Sequence, residues 1–182
     1  EKIMNNTKPL NTIPVGGTFK IGDVEFIKFS EDNGRATVVC KDILFNSQFG
    51  ANNDFSKSYI LEKLTAEILP QIEAAVGSEN VIEFESDLMS LDGSSNHGIV
   101  KSKISLPTFD FYRKNRAIFE KHKIDEWWWL ATPDSTSEYN DDRWCVCVAP
   151  SGFIFSSRYC GHYYGVRPFC ILNSNIFVSC DK

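Results

Sequence analysis

The sequence predicts an α+β domain: strands and two helices in its first two-thirds, then a loop-rich C-terminal half built as a small, heavily turned antiparallel sheet. Three observations lead there. Apolar residues recur at helical spacing in two stretches, Ile60, Leu61, Leu64, Ile68 and Ile72, then Phe109, Phe111, Tyr112, Ile118 and Phe119. Twelve of the thirteen lysines precede residue 124, so the composition changes there. After it come short β-like runs separated by turn residues. With 182 residues, 42% of them hydrophobic, the chain can bury one sizeable core, which predicts a single domain over 18–182 behind a leader or linker at 1–17.

Residues 1–17 are polar and broken by Pro and Gly. The sequon Asn5-Asn6-Thr7 reads as chance, because no signal pattern precedes it. Phe19 and Ile21 alternate before the turn Gly22-Asp23, and Val24, Phe26 and Ile27 resume the apolar run, predicting a hairpin. A third strand is expected through Ala36–Cys40, extended by Ile43-Leu44-Phe45, then an Asn- and Gly-rich loop at 46–55. Ser56 is the expected N-cap of a helix from Lys57 to about Ala75, interrupted at Pro70 and ended by Gly77. Val81–Phe84 reads as a short strand and Asp87–Leu91 as a turn of helix. Lys103–Leu106 is a further short strand, and Thr108 caps a second helix reaching about His122, with a basic outer face. Five runs complete the pattern: Trp127–Ala131, Arg143–Ala149, Phe153–Ser157, Val166–Leu172 and Ile176–Ser179.

The net charge of -5 and a pI near 5.2 leave no basic stripe for nucleic acid. No run of eighteen apolar residues spans a membrane. Neither helix carries a metal-ligand pair at i, i+4 or a phosphate-cradling glycine loop, so no cofactor, metal or catalytic residue is assigned. His97, in the loop 92–98, has no acid or thiol nearby in sequence and reads as solvated. The six cysteines lack zinc-knuckle spacing; they read as small apolar thiols, with a disulfide among the later ones left open. The chain opens on Glu1, and the expectation is a fragment whose upstream part could carry oligomerisation.

The chain is organised around Glu126–Phe169. Trp127, Trp128 and Trp129 form a large apolar anchor at one end, and Gly165-Val166-Arg167-Pro168 a compact turn-and-strand at the other. Arg167 reads as structural, a guanidinium bonding loop carbonyls or an acid, with ligand binding as the lesser alternative. Between the ends lie side chains suited to contact. Tyr139, Trp144, Phe155, Tyr159 and Tyr163 are anchors, joined by Asn140, Asp141, Asp142, Arg143, Ser157, Arg158, His162 and Tyr164. Strand alternation puts Cys145 and Cys147 on the face of Arg143, with Val146 and Val148 opposite; Cys160 joins the candidate contact set. Trp144 either packs inward or caps the sheet edge. The competing reading has all these aromatics packing a loop-rich β core.

The order Phe111-Tyr112-Arg113-Lys114-Asn115-Arg116, then Glu126-Trp127-Trp128-Trp129-Leu130-Ala131-Thr132-Pro133, then Tyr164-Gly165-Val166-Arg167-Pro168 resembles a family of phage and bacterial domains of unknown function. That family carries W-W-L-R-[ST]-P followed by G-V-R-P-A. The resemblance covers roughly residues 18–172, with Ala131 and Phe169 departing from the family's Arg and Ala. The closing motif is also similar to the end of C-type-lectin-like domains, including formylglycine-generating enzymes and the variable proteins of diversity-generating retroelements. This implies a C-type-lectin-like fold, two helices packed on a twisted antiparallel sheet, with a ligand face near the C-terminus. In retroelement variable proteins, adenine-directed mutagenesis of Asn-type codons never yields Glu, Lys, Gln, Met or Trp. Between Asp134 and Tyr164 only Glu138 and Trp144 belong to that set, against about six expected from the rest of the chain.

The function expected from these readings is receptor recognition. A hypervariable face at 134–164, diversified by a retroelement, would contact a protein or glycan on a host cell surface, from a phage tail in the virion or from a bacterial surface protein. A fixed carbohydrate-binding module is the alternative, although the usual calcium-lectin tripeptides are absent. A formylglycine-generating-type oxidase using Cys145, Cys147 or Cys160 is the third, and no base accompanies those thiols in a recognisable motif.

Overall fold

The computed structural model describes residues 6–180. The chain is mostly β. Thirteen strands run β1 (Thr7–Pro9), β2 (Thr18–Ile21), β3 (Val24–Asp32), β4 (Arg35–Cys40), β5 (Phe45–Ser47), β6 (Phe84–Asp87), β7 (Ile99–Ser102), β8 (Trp128–Pro133), β9 (Trp144–Val148), β10 (Ile154–Tyr159), β11 (Tyr164–Val166), β12 (Phe169–Asn173) and β13 (Phe177–Ser179). They form a six-stranded sheet ordered β1-β13-β2-β3-β4-β12, a five-stranded sheet ordered β10-β9-β8-β11-β5, and the hairpin β6-β7. All pairings are antiparallel except β11 with β8.

This overturns the C-type-lectin-like expectation of two helices on one sheet. One long helix is present, made of α1 (Tyr59–Lys63), a π-helical turn (Leu64–Ile68) and α2 (Leu69–Val76). Its cap is Ser58, two residues beyond Ser56, with Oγ accepting from the Leu61 amide at 3.0 Å. Pro70 does not break it, because the preceding π turn takes up the backbone mismatch of a residue with no N–H to donate. Gly77, at φ +93°, ends it. The expected second helix is two single-turn pieces, α3 (Phe109–Lys114) and α4 (Arg116–Lys121). Asn115 divides them, its side-chain amide donating to the Phe111 carbonyl at 2.9 Å in competition with the helical backbone.

Two further expectations change. Residues 7–17 are no linker: β1 pairs with β13, and Leu10 is wholly buried with its amide on the Ile176 carbonyl. Residues 1–5, including Asn5 of the sequon, lie outside the described residues. The stretch 84–102, expected as strand, turn and loop, is the β6-β7 hairpin with its connection.

Two apolar cores lie on opposite sides of the central strands. One gathers Phe19, Phe26, Val38, Phe49, Phe55, Ile60, Leu64, Trp129, Cys145, Cys147 and Val166; the other gathers Ile27, Phe29, Val39, Tyr112, Phe119, Trp128, Leu130, Val146 and Val148. Strands β8 and β9 therefore bury both faces, which period-2 alternation along a strand makes possible only when every position is apolar or small. Tryptophan alternation follows: Trp128 enters one core, Trp129 the other, its Nε1 donating to the Ser47 carbonyl at 2.8 Å, while Trp127, just before the strand, stays half-buried.

Arg167 locks the two sheets. It is 1% exposed and donates from Nε to the Cys40 carbonyl (3.0 Å) and from Nη2 to the Lys41 carbonyl (2.8 Å), with its Cζ 4.6 Å from the Trp128 ring centre. Burial pulls its pKa down to about 10, so it stays charged at neutral pH. This is the carbonyl-binding role its motif suggests. Beside it Gly165 has no room for a side chain, since a Cβ there would overlap Ile43.

Candidate binding face

The candidate contact residues gather mainly around β10, the outer strand of the five-stranded sheet. Its register with β9 pairs Phe155 with Cys147, then Arg158 with Cys145 and Tyr159 with Trp144, with a bulge between Phe155 and Arg158. Three positions apart, Phe155 and Arg158 would point to opposite faces of a regular strand. The extra residue brings both to one side, where the Arg158 Cζ lies 4.9 Å from the Phe155 ring centre.

From there a continuous chain of rings runs along the surface. Arg158 lies over Trp127, its Cζ 4.2 Å from the ring centre. Trp127 meets the Phe155 ring edge-on at 4.9 Å and stacks on Tyr164 at 5.7 Å. His162 follows at 5.9 Å from Tyr164 and 5.7 Å from Tyr159, and Tyr159 reaches Trp144 at 6.3 Å. Arg143 closes the line 5.7 Å above Trp144. Phe155 and Tyr159 in this chain are 40% and 44% exposed, and Tyr163 beside them is 68% exposed.

The two arginines differ in whether a carboxylate compensates their charge. Arg143 is chelated by Asp141, with Nε 2.9 Å and Nη2 2.6 Å from Oδ2. That bonding holds the Asp141 carboxyl below its ordinary range and pushes Arg143 up, so the pair is neutral together. Arg158 has no carboxylate partner among the described residues, and its Nε is buried without a hydrogen-bond partner. Its guanidinium lies against π faces, and the Nη groups, not the buried Nε, are the donors left for a ligand.

The loop that presents Tyr139, Asn140, Asp141 and Asp142 is pinned from beneath. Asn53 donates through Nδ2 to the carbonyls of Ser135 (2.8 Å) and Trp144 (2.9 Å), and its amide donates to the Asp142 carbonyl at 2.7 Å. His97 Nε2 meets Asn53 Oδ1 at 2.8 Å and its Nδ1 lies 3.8 Å from Asp54. His97 is thus a packed strut, not a solvated loop residue: its acid partner comes from a distant loop that sequence proximity does not reveal. Ser135 donates to Asp92 at 2.6 Å, and Ser94 reaches Thr136 at 2.6 Å and Glu138 at 2.7 Å. Tyr139, 62% exposed, stands on this loop with no ring contact to the strip, and Ser157 and Tyr163 are likewise exposed beside it.

Three candidates are displaced from the face. Cys145, Cys147 and Cys160 are at most 2% exposed and lie in the core beneath it. Burial in apolar surroundings pushes all three thiols up, so they stay protonated and unreactive at neutral pH. The alternation placing Cys145 and Cys147 opposite the valines is right, but a second layer covers their side too. All six cysteines carry free thiols. Trp144 is half-buried at the edge, between Tyr159 and Arg143. Sequence reasoning read Trp127 as frame and Tyr164 as a contact residue, and the two stack together at the centre of the ring chain. No local signal marked Trp127: a strand covered on both faces can bury every position, and Trp127 is half-buried because it lies just before β8. Among the described residues no three His, Cys, Asp or Glu side chains come together in a metal-binding group.

A family model for DUF6273, a domain of unknown function, matches residues 76–174. The chain belongs to that family. The DUF6273 region runs from the end of α2 through β12 and so contains the whole ring chain, Arg167 and the loop pinned by Asn53, while Asn53 itself and the long helix lie before it. Neither the curated proteins nor the solved structures give a match to this chain.

Proposed function

We propose that this DUF6273 chain is a ligand-recognition domain, and that it holds its ligand on the ring chain between Phe155 and Arg143. The observation that carries the reading is Arg158, a cation over Trp127 with no acid to neutralise it among the described residues, in the middle of exposed aromatic side chains. Its two Nη groups can take a carboxylate or sulfate end-on, while Tyr159, His162 and Phe155 contact an adjoining flat or apolar group. The ligand class is therefore an anion carried on a protein or glycan surface. A phage tail or bacterial surface protein is the setting in which such a domain would meet it on a host cell.

The test is an array of sulfated, carboxylated and neutral glycans together with acidic and neutral peptides, read with wild type, Arg158→Gln and Tyr159→Ser. Retention of anionic members alone, lost in both variants, supports the reading. Equal retention by Arg158→Gln overturns it. The narrower form, diversification of 134–164 by a retroelement, draws support from exposed positions 139, 143, 155, 157, 159, 162 and 163 standing on a buried frame, and meets its counterweight in buried Cys145, Cys147 and Cys160. A near-copy of codons 134–168 beside a reverse-transcriptase gene, with adenines at the divergent sites, decides it.

A further inference from the structure

A second site lies away from the ring chain and shares no residue with it. A cleft of about 440 Å³ opens between β6, the start of α3 and β12. Its volume falls in the range of small-ligand and peptide-side-chain sites. Phe84, Phe109, Phe169 and Ile171 supply apolar walls, and Glu85, Asp87 and Asp110 stand among the lining residues against one arginine, Arg113.

The backbone adds a more specific feature. Every residue of β6 lines the cleft and none of β7 does, so the cleft sits on the side of β6 away from its partner. The Leu88 amide donates to the Gly98 carbonyl at 3.0 Å, in the same register that pairs Ser86 with Val100 and Phe84 with Ser102. In an antiparallel ladder, hydrogen-bonded and non-bonded pairs alternate. The N–H and C=O groups of Glu85 and Asp87 therefore point off the outer edge, toward the cleft. Among the described residues no strand pairs with that edge, since β6 and β7 form a sheet of two strands.

We propose that this edge takes an extended peptide segment, added as a third strand to β6, with apolar side chains in the cleft and a lysine or arginine against its acids. A free strand edge beside an apolar groove is the arrangement by which sheets recruit a peptide backbone. Four residues of edge, about 13 Å long, hold a short segment. Charge selects its sequence. Asp110 is engaged by Arg113 at 2.8 Å, and Glu85 faces Lys101 at 3.5 Å between well-exposed side chains. Asp87 has no cation partner among the described residues, its Oδ1 accepting only the Met89 amide at 2.9 Å. The cleft thus carries an uncompensated carboxylate and favours a basic partner.

The experiment is fluorescence anisotropy with a labelled heptapeptide alternating valine and lysine. Its comparators are the valine–glutamate peptide and a valine–lysine peptide N-methylated at alternate amides. Binding is expected to saturate with the first and to weaken about ten-fold or more with each of the others, since losing one or two hydrogen bonds or the charge match has that size. Glu85→Pro removes one outward N–H while sparing the ladder, and should weaken binding about five-fold beyond Glu85→Gln. Should Glu85→Pro fail to fold, the N-methylated peptide alone decides. No saturable binding, or equal affinity for methylated and unmethylated peptide, overturns the proposal. So does a concentration-dependent dimer in sedimentation that Glu85→Pro abolishes, since it assigns the edge to a second copy of the chain.

Discussion

Replacing Arg167 with methionine isolates the contribution of the lock between the two sheets. The change removes two charge-assisted hydrogen bonds, to the Cys40 and Lys41 carbonyls, each worth about 1.5–3 kcal/mol. It also removes a desolvated cation–π contact with Trp128 of about 2 kcal/mol. Against these stands relief of the desolvation cost of a buried guanidinium, several kcal/mol in effect. The balance is a loss of about 2–4 kcal/mol, read as a shift in the urea midpoint at constant slope. In a domain of this size that lowers Tm by roughly 5–15 °C. Arg167→Lys separates charge from shape. An ammonium keeps the buried charge but has no planar fork to reach both carbonyls while lying on Trp128, so it should be no more stable than the methionine variant. Tolerance of methionine within about 0.5 kcal/mol, or wild-type stability in the lysine variant, contradicts this balance.

Three other outcomes follow from named contacts. Gly165→Ala should destabilise by about 1–3 kcal/mol in urea titration, because its Cβ overlaps Ile43, and pairing it with Ile43→Val should recover part of the loss. Native protein treated with a thiol reagent at pH 8 should modify Cys180 quickly, with the other five thiols reacting only after denaturant, as all five are buried and burial raises Cys40 to about 11 and Cys170 to about 12. Asp92 accepts hydroxyl bonds from Ser135 and Ser90, which hold its carboxyl below the ordinary range. The stability it contributes is present above that range and lost as pH falls through the lower folded value, so Asp92→Asn should flatten the acid limb of a stability–pH curve below about pH 4.

Much of the architecture was legible where the local signal was strong. The hairpin of β2 and β3, strand β4 and most of the C-terminal runs show plain alternation or apolar content between turn residues, and they appear close to where the pattern puts them. The exposure of Tyr139, Arg143, Phe155, Tyr159, His162 and Tyr163 was legible, because polar and tyrosine-rich sequence between two apolar motifs has little use in a core. What failed was long-range. Whether β9 is covered on one side or two depends on partners more than sixty residues away, such as Phe49, Phe55 and Ile60, so the thiols were misplaced. Pairing of β1 with β13 joins the two ends of the chain, and parallel pairing of β11 with β8 has no local signature at all. The fold class was read from a closing motif that fixes Arg167 and its turn locally, and a four-residue motif does not specify sheet order. His97 failed for the same reason: its partners Asn53 and Asp54 lie more than forty residues upstream.

Frame and face are expected to be energetically separate. The most direct measurement is paired stability and ligand retention for the triple variant Tyr139→Ser, Tyr159→Ser, Tyr163→Ser, with all three rings exposed in the parent. The prediction is a urea midpoint moved by less than about 1.5 kcal/mol in total, together with loss of the anionic ligands that the parent retains. A cooperative transition that disappears, or ligand retention that survives the three substitutions, contradicts it.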